Sequence, residues 1–193
     1  LEAHGISTEN QDSVLMEVAT TALTGKSAGA VKNFMADICV RAVNAVGIIE
    51  NDERIVDLSD IKVEKRQGGS IKDSSLIDGI LLDKERVHAG MPRSMANASI
   101  ALINSAIEVK KTEVDAKIQI TDPNQLSLFL EEEENYIRGL VEKIQASGAT
   151  VLICQKGIDE LAQHYMSKAG IFAIRRAKKS DMEALSKATA GRI

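Results

Sequence analysis

The chain has 193 residues, of which 44% are hydrophobic and 27% charged, and this balance excludes wholesale disorder and collagen-like or mucin-like chains. Aromatic residues make up only 3% and Trp is absent, so the stacking platforms that single-stranded nucleic acids need are largely missing. The 24 Lys and Arg residues against 28 Asp and Glu give a formal net charge of −4, which disfavours a protein that binds phosphate backbones.

The first part of the chain has the apolar spacing of a helical pair. Residues 13–24 place apolar side chains at three- and four-residue steps, and the pattern resumes over residues 30–46. Gly25 and Gly29 bracket the break between them, and Gly47 suits the C-cap of the second helix. We therefore expect two helices joined by a short glycine loop.

Short aliphatic runs separated by Asp, Asn and Gly follow, and these are typical of strands. They lie at residues 48–49, 55–56, 61–63, 80–82 and 100–103. Residues 114–120 alternate apolar and polar side chains, as a half-exposed strand does. Residues 67–70 form the clearest linker, so we expect a domain boundary after Ser70.

The strongest local signal is a helix start at residues 121–125, with Asp122 at the N-cap and Pro123 at the first helical position. The helix should end at Gly148. We expect its buried stripe to consist of apolar side chains at helical spacing: Leu126, Phe129, Leu130, Ile137, Leu140, Val141 and Ile144. Leu128 lies off this stripe, so the first turns are apolar almost all round, which indicates either two-sided packing or contact with a partner.

The last third of the chain alternates strands with helices. Strands are predicted at residues 150–154 and 170–174, and helices at residues 159–168 and 180–188, the second capped by Ser180. This order implies a partly parallel α/β arrangement.

Cysteine usage and the start of the chain bear on its location. Cys39 and Cys154 lie in apolar surroundings with no Cys or His at metal spacing, so we expect buried, reduced thiols in a cytoplasmic protein and no metal site. No run approaches the ~18 apolar residues of a membrane span, and no signal peptide is visible. The chain begins at Leu1 rather than Met, which predicts a piece of a longer protein.

Residues 20–27 are similar to a phosphate-binding loop but lack its first glycine, because residue 20 is Thr. Two interpretations of the loop around Lys26 stay open: a plain helix–helix loop, which the residues favour, or a mobile cation that reaches a phosphate bound elsewhere. A phosphoryl-transfer or nucleotide-binding enzyme built on the second interpretation would complete its site with Asp12 or Glu17. No nucleophile motif supports an autonomous enzyme.

The densest group of basic residues comes near the end of the chain: Arg175, Arg176, Lys178 and Lys179. A solvated surface is the interpretation we favour, and a nucleic-acid patch is the alternative.

Several long motifs resemble the apical domain of archaeal group II chaperonins, the thermosomes. They lie at residues 109–126, 154–165 and 173–182, with shorter matches at residues 23–27 and 83–92. The resemblance implies an α/β fold, in which the apical domain has a β-sandwich-like core flanked by helices and a long helical protrusion near residues 121–147. It departs from the family at Ala190 and Gly191, which reverse the usual Gly-Ala order.

The resemblance also implies how the chain divides into domains and which functions lie outside it. Residues 1–70 would be a partial intermediate domain, and residues 71–193 the apical domain. The equatorial domain and the segment with the family's catalytic aspartate would be absent, so this chain alone should not hydrolyse ATP. ATP and Mg²⁺ would belong to the full-length parent, which binds unfolded client proteins and assembles with other subunits in a double ring, without nucleic acid or membrane.

Three groups of residues match functional positions of the family. The nucleotide-sensing loop corresponds to Thr24, Gly25 and Lys26. The built-in lid corresponds to Leu126, Leu128, Phe129 and Leu130. The client-binding surfaces correspond to His88, Met91, Arg93, Gln163, His164 and Lys168.

Overall fold

The chain divides into two compact units, Leu1–Leu81 and Leu82–Ile193, in a computed structural model that describes residue 5 and residues 11–51, 53–109 and 123–193. The predicted strand over residues 114–120 and the predicted cap Asp122 lie outside the described residues. The division along the chain falls between Leu81 and Leu82 rather than after Ser70, and the assignment of residues 1–70 and 71–193 to two named domains stays a prediction.

The first unit is built on an antiparallel pair of helices, as the sequence predicts. The helices are α1 (Asp12–Leu23) and α2 (Lys32–Val46), with a 3-10 turn at Gly29–Val31 between them. Asn44 Nδ2 donates to Asp12 Oδ1 at 3.0 Å, which brings the end of α2 beside the start of α1. The buried face of α2 is narrow and consists of small side chains: Ala36, Val40 and Ala42. Cys39 lies beside that face and is exposed, so the prediction of a buried thiol is wrong for this residue.

A hairpin and irregular chain complete the first unit. The hairpin pairs β1 (Ile48–Glu50) with β2 (Glu53–Ile55) in antiparallel register. Two 3-10 turns follow, at Leu58–Asp60 and Ile71–Asp73. The strands predicted over residues 61–63 and 80–82 are irregular instead, because neither run pairs with a strand among the described residues. Aliphatic runs need a neighbouring strand to pair with before they become strands themselves.

The second unit is built on a three-stranded parallel sheet. Its strands are β3 (Ile100–Ile103), β4 (Val151–Cys154) and β5 (Phe172–Ile174), with β4 in the centre. The crossovers contain α3 (Pro123–Ala146) and α4 (Glu160–Lys168), and α5 (Lys179–Thr189) follows β5. In register, Ala101 lies opposite Leu152, which lies opposite Ala173. The predicted mixed α/β fold is confirmed, and the sandwich-like packing stays a prediction.

Aliphatic and sulfur-containing side chains fill the core of the second unit. Leu152, Cys154, Ala162, Met166 and Ala173 are fully buried, while Phe172 is only partly buried. Parallel strands are covered on both faces by their crossover helices and therefore need apolar residues in succession. Because the chain has few aromatic residues, small and flexible side chains pack closely to fill the core instead.

Two details of the helices differ from the sequence prediction. The buried stripe of α3 is confirmed only in its second half, at Ile137, Val141 and Ile144, with Leu140 partly buried. The first half, with Leu126, Phe129 and Leu130, is exposed, because no described element covers it. Helix α5 begins at Lys179 after the N-cap Lys178, so Ser180 is not its cap.

A polar cluster joins α3 to α4 just before the buried half of α3 begins. The Tyr165 hydroxyl donates to Glu134 Oε1 at 2.5 Å, and the Arg138 guanidinium donates to the same oxygen at 2.5 Å. The guanidinium also lies 5.4 Å from the centre of the Tyr165 ring. The hydrogen bond from Tyr165 has the largest effect on the pKa of the Glu134 carboxyl and lowers it, and the Arg138 guanidinium lowers it further.

Replacing Tyr165 with Phe should therefore raise the pKa of Glu134 towards the ordinary value for glutamate. Because the folded-state pKa is lowered, the cluster stabilises the fold above the unfolded-state pKa and loses its effect as the pH falls through the folded-state value. Carboxyl NMR titration of Glu134 measures the shift directly. Tyr136→Phe, at an exposed tyrosine of the same helix, is the matched control and should leave the titration unchanged. An unchanged titration in Tyr165→Phe would contradict this account.

Ala190 caps the end of α5 in the left-handed region, with φ 52° and ψ 20°. This conformation crowds Cβ, and glycine is the residue that adopts it freely. Ala190→Gly should raise the free energy of unfolding by about 1 kcal/mol, as measured by urea denaturation. Ala188→Gly, inside the last turn of the same helix, should lower it by about 0.5–1 kcal/mol instead. A loss of stability in Ala190→Gly would show that the left-handed cap is not strained.

Candidate functional site

The loop over residues 83–93 is attached to β5 through backbone and sulfur contacts. The Val87 N–H donates to the Ala173 carbonyl at 3.0 Å, and the Ala173 N–H donates to Met91 Sδ at 3.4 Å. The Arg86 guanidinium donates to the Met91 carbonyl. These bonds hold the loop on the edge strand of the sheet, so its side chains are presented from a fixed backbone.

The structure brings this loop together with α4. The rings of His88 and His164 pack edge to face with their centroids 6.1 Å apart. His88 Nδ1 accepts the Gly90 N–H at 3.0 Å, which orients its ring. His164 and Lys168 are exposed on α4 and His88 is partly buried. Two segments that are far apart in sequence therefore form one surface, which contains three of the predicted client-binding residues.

Two predicted client-binding residues lie beneath that surface rather than on it. Met91 is 2% exposed and belongs to the apolar core. Gln163 is 6% exposed, and its Nε2 donates to the Ile158 carbonyl at 2.7 Å. Both side chains have their contacts inside the fold, so in this conformation they support the surface and do not offer it to a ligand. Residue type alone indicates burial for Met91 but not for Gln163, because Met is often buried and Gln is mostly exposed.

Arg93 belongs to a separate shallow cleft. This cleft has a volume of about 360 Å³ and is lined by Glu85, Arg86, Arg93 and Phe172. It presents two guanidinium groups and one carboxylate, all three from the loop over residues 83–93, at the start of β5.

The amino-terminal half of α3 exposes a cluster of large apolar side chains. The four predicted lid residues are all exposed: Leu126 (49%), Leu128 (62%), Phe129 (46%) and Leu130 (57%). Of the two possibilities that the sequence left open, two-sided packing does not occur among the described residues. The acidic residues 131–134 follow directly, so the apolar cluster is flanked by negative charge.

The predicted nucleotide-sensing loop is exposed between α1 and the 3-10 turn that precedes α2. Gly25 has φ 77°, a left-handed conformation that accounts for glycine at this position. The Thr24 hydroxyl donates back to the Thr20 carbonyl at 2.8 Å, whereas the Lys26 ammonium has no hydrogen-bonding or ionic partner among the described residues. Lys26 is thus a solvated cation on a short loop.

Among the described residues, no contact joins Lys26 to Asp12 or Glu17, the two candidate carboxylates of a phosphoryl-transfer site. Asp12, one of the two candidate carboxylates, accepts a hydrogen bond from Asn44. No three carboxylate, imidazole or thiol groups of the described chain are placed to share a metal ion. The same residues include no helix long and apolar enough to cross a bilayer.

The comparisons with known proteins agree with this architecture. The model of the TCP-1/cpn60 chaperonin family matches residues 1–193. The thermosome subunit alpha of Thermoplasma acidophilum is 53% identical over 182 residues, which cover 94% of this chain and 33% of the relative. The thermosome subunit beta of Archaeoglobus fulgidus is 52% identical over 185 residues, which cover 96% of this chain and 34% of the relative.

A solved structure gives the same result in three dimensions. The open-state monomer of a group II chaperonin from Methanococcoides burtonii superposes with a TM-score of 0.70 at 41% identity, and the match covers 94% of this chain and 39% of that one. The chain spans about a third of the length of the curated relatives that it matches. It belongs to the TCP-1/cpn60 chaperonin family.

Proposed function

We propose that this chain is the part of a molecular chaperone subunit that binds unfolded protein and forms part of a built-in lid. The observation that carries the proposal is the exposure of the apolar cluster on α3, where Leu128 is 62% and Leu130 is 57% exposed. A folded protein rarely leaves neighbouring large apolar side chains in water unless they contact a partner. An unfolded polypeptide is such a partner, because its own apolar side chains are exposed.

The charge beside the cluster fits a reversible contact. The acidic side chains of residues 131–133 form no ion pair within the described chain. Repulsion between copies of this acidic stretch opposes the stacking of one apolar cluster on another. The helix thus offers a modest apolar surface to clients while it discourages self-association.

The surface of His88, His164 and Lys168 is the proposed second contact for clients. It combines two imidazoles with an ammonium on a rigid backbone, and Met91 and Gln163 support it from below. Arg93 adds a cation at the neighbouring cleft. Polar, adaptable groups of this kind bind many sequences weakly, which suits a chaperone better than a specific receptor.

We propose that the loop of Thr24, Gly25 and Lys26 senses the nucleotide that is bound elsewhere in the parent protein. Its support is the exposed ammonium on a short loop, which has no partner among the described residues and could contact a phosphate held by another part of the parent protein. ATP and Mg²⁺ would be bound there, and Lys26 would supply the single cation by which this loop contacts the phosphate. Other subunits of the assembly and unfolded clients are the proposed partners.

The chain should suppress the aggregation of an unfolded client, as measured by light scattering during refolding. Leu128→Ser/Leu130→Ser should weaken client binding by roughly tenfold or more, because burial of one leucine contributes about 1.5 kcal/mol. Leu58→Ser/Leu81→Ser, at two exposed leucines of the first unit, is the matched control and should leave suppression unchanged. No suppression at large molar excess of the unaltered chain would contradict the proposed function.

The chain alone should bind and hydrolyse no ATP. Titration calorimetry with ATP and Mg²⁺ is expected to give only the heat of dilution, because Lys26 by itself contributes a single solvated cation. Heat of binding that disappears in Lys26→Ala would support the alternative, a phosphoryl-transfer or nucleotide-binding enzyme that uses Lys26. Heat that persists in Lys26→Ala would place a nucleotide site elsewhere in the chain, and would also contradict the prediction.

A further inference from the structure

Another surface, which the proposed function does not use, lies at the carboxyl edge of the parallel sheet. It consists of exposed cations from the chain that leaves two neighbouring strands, and we call it the basic edge: Lys156, Arg175, Arg176 and Lys178. Lys156 follows β4, whereas the other three follow β5, the next strand in the sheet. Because parallel neighbours end at the same edge, the sheet brings together charges that are about twenty residues apart in sequence.

Backbone hydrogen bonds fix the two segments of the basic edge against each other. The Arg176 N–H donates to the Lys156 carbonyl at 2.9 Å, and the Ala177 N–H donates to the Cys154 carbonyl at 3.0 Å. Ala177 is buried while its neighbours on both sides are exposed. Arg176 has φ 54°, which is the left-handed region that favours glycine. The chain thus holds an arginine in a strained conformation, and this arginine remains exposed.

The cations of the basic edge have no acidic partner among the described residues. The adjacent Lys179 pairs with Glu183 at 3.6 Å, and none of the four cations makes an ion pair of its own within the described chain. Of the acidic groups nearby, Glu108 is exposed with its carboxylate beside Gly157 but forms no ion pair with the edge among the described residues, and Asp181 is 5% exposed. Four like charges at one edge repel one another, and Lys178 also stands at the unfavourable end of the α5 dipole. An anionic ligand would relieve this repulsion.

We infer that the basic edge binds carboxylate-rich segments of unfolded polypeptides. The inference rests on the proposed function, and it names a class of client sequence that the apolar and histidine surfaces do not select. A polypeptide is favoured over a nucleic acid for two reasons. The edge has no exposed aromatic ring on which a base could stack, since Phe172 is partly buried at the opposite end of β5. The net charge of −4 would also repel a long phosphate backbone, whereas a short acidic segment meets the edge alone.

Fluorescence anisotropy with labelled, unstructured peptides tests the inference. One peptide is rich in Glu, and a second carries Gln at the same positions. The full chain should bind the Glu peptide, more weakly as salt is raised, and should bind the Gln peptide at least tenfold more weakly. Arg175→Gln/Arg176→Gly/Lys178→Gln should lose roughly threefold to tenfold in affinity for the Glu peptide. Glycine at residue 176 suits the left-handed backbone, so this variant should fold.

The matched control removes the same number of charges from exposed positions elsewhere: Lys65→Gln/Lys84→Gln/Arg192→Gln. It should retain the affinity of the unaltered chain. Equal affinity in both triple variants would overturn the inference, as would equal binding of the two peptides. Tighter binding of an oligonucleotide of the same charge than of the Glu peptide would overturn it in favour of a nucleic-acid surface.

Light scattering during refolding of a client tests the proposed function separately. If the chain suppresses aggregation and the Glu peptide is not preferred, only the acidic specificity fails. If the Glu peptide is preferred but no client is protected, the proposed function fails and the basic edge stands as an anion-binding surface.

Discussion

The burial of β4 between two parallel neighbours is the constraint on which the second unit depends. Leu152 and Cys154 are fully buried, and each parallel step requires a crossover that returns to the same end of the sheet. The crossovers contain α3 and α4, and their apolar faces close the core over the strands. The positions of the remaining surfaces follow: the loop with His88 is attached to β5, and the basic edge lies where β4 and β5 end.

Helix α3 has two halves with different physical roles. From Ile137 onward it is part of the core, and before that residue its apolar side chains are in water. The cluster of Glu134, Arg138 and Tyr165 lies at the change from one half to the other and joins the helix to α4. Among the described residues, only the second half of the helix is held by the core, and the proposed lid role uses the exposed first half.

Local patterns predicted most of the helices and the strands of the sheet. Spacing of three and four residues located α1, α2 and α4 to within about two residues, as expected for boundaries taken from pattern alone. Two of the failures involve partners that a local pattern does not reveal. Within the part of the chain that the structure describes, residues 61–63 have the composition of a strand but no strand beside them, and Leu126 has the spacing of a core residue but no element above it. Ser180 is not the N-cap, because the helix begins at Lys179 and its N-cap position is Lys178, whose side chain makes no capping hydrogen bond.

The candidate site was predictable in outline and not in detail. Motif resemblance selected His88, Met91, Gln163 and His164 together, yet only the tertiary structure separated the two histidines at the surface from the two buried side chains. The contribution of Tyr165 to the α3–α4 cluster had no sequence signal beyond the spacing of Glu134 and Arg138, since a hydrogen bond across 31 positions depends on the packing of two helices.

By itself the sequence determined the aliphatic character of the core, the order of helices and strands, and the family, because these follow from composition, periodicity and long motifs. Only the tertiary structure decided which apolar side chains stay in water and which cations share an edge. Burial and proximity are properties of pairs of elements, and hydrophobic spacing along one element does not state what covers it.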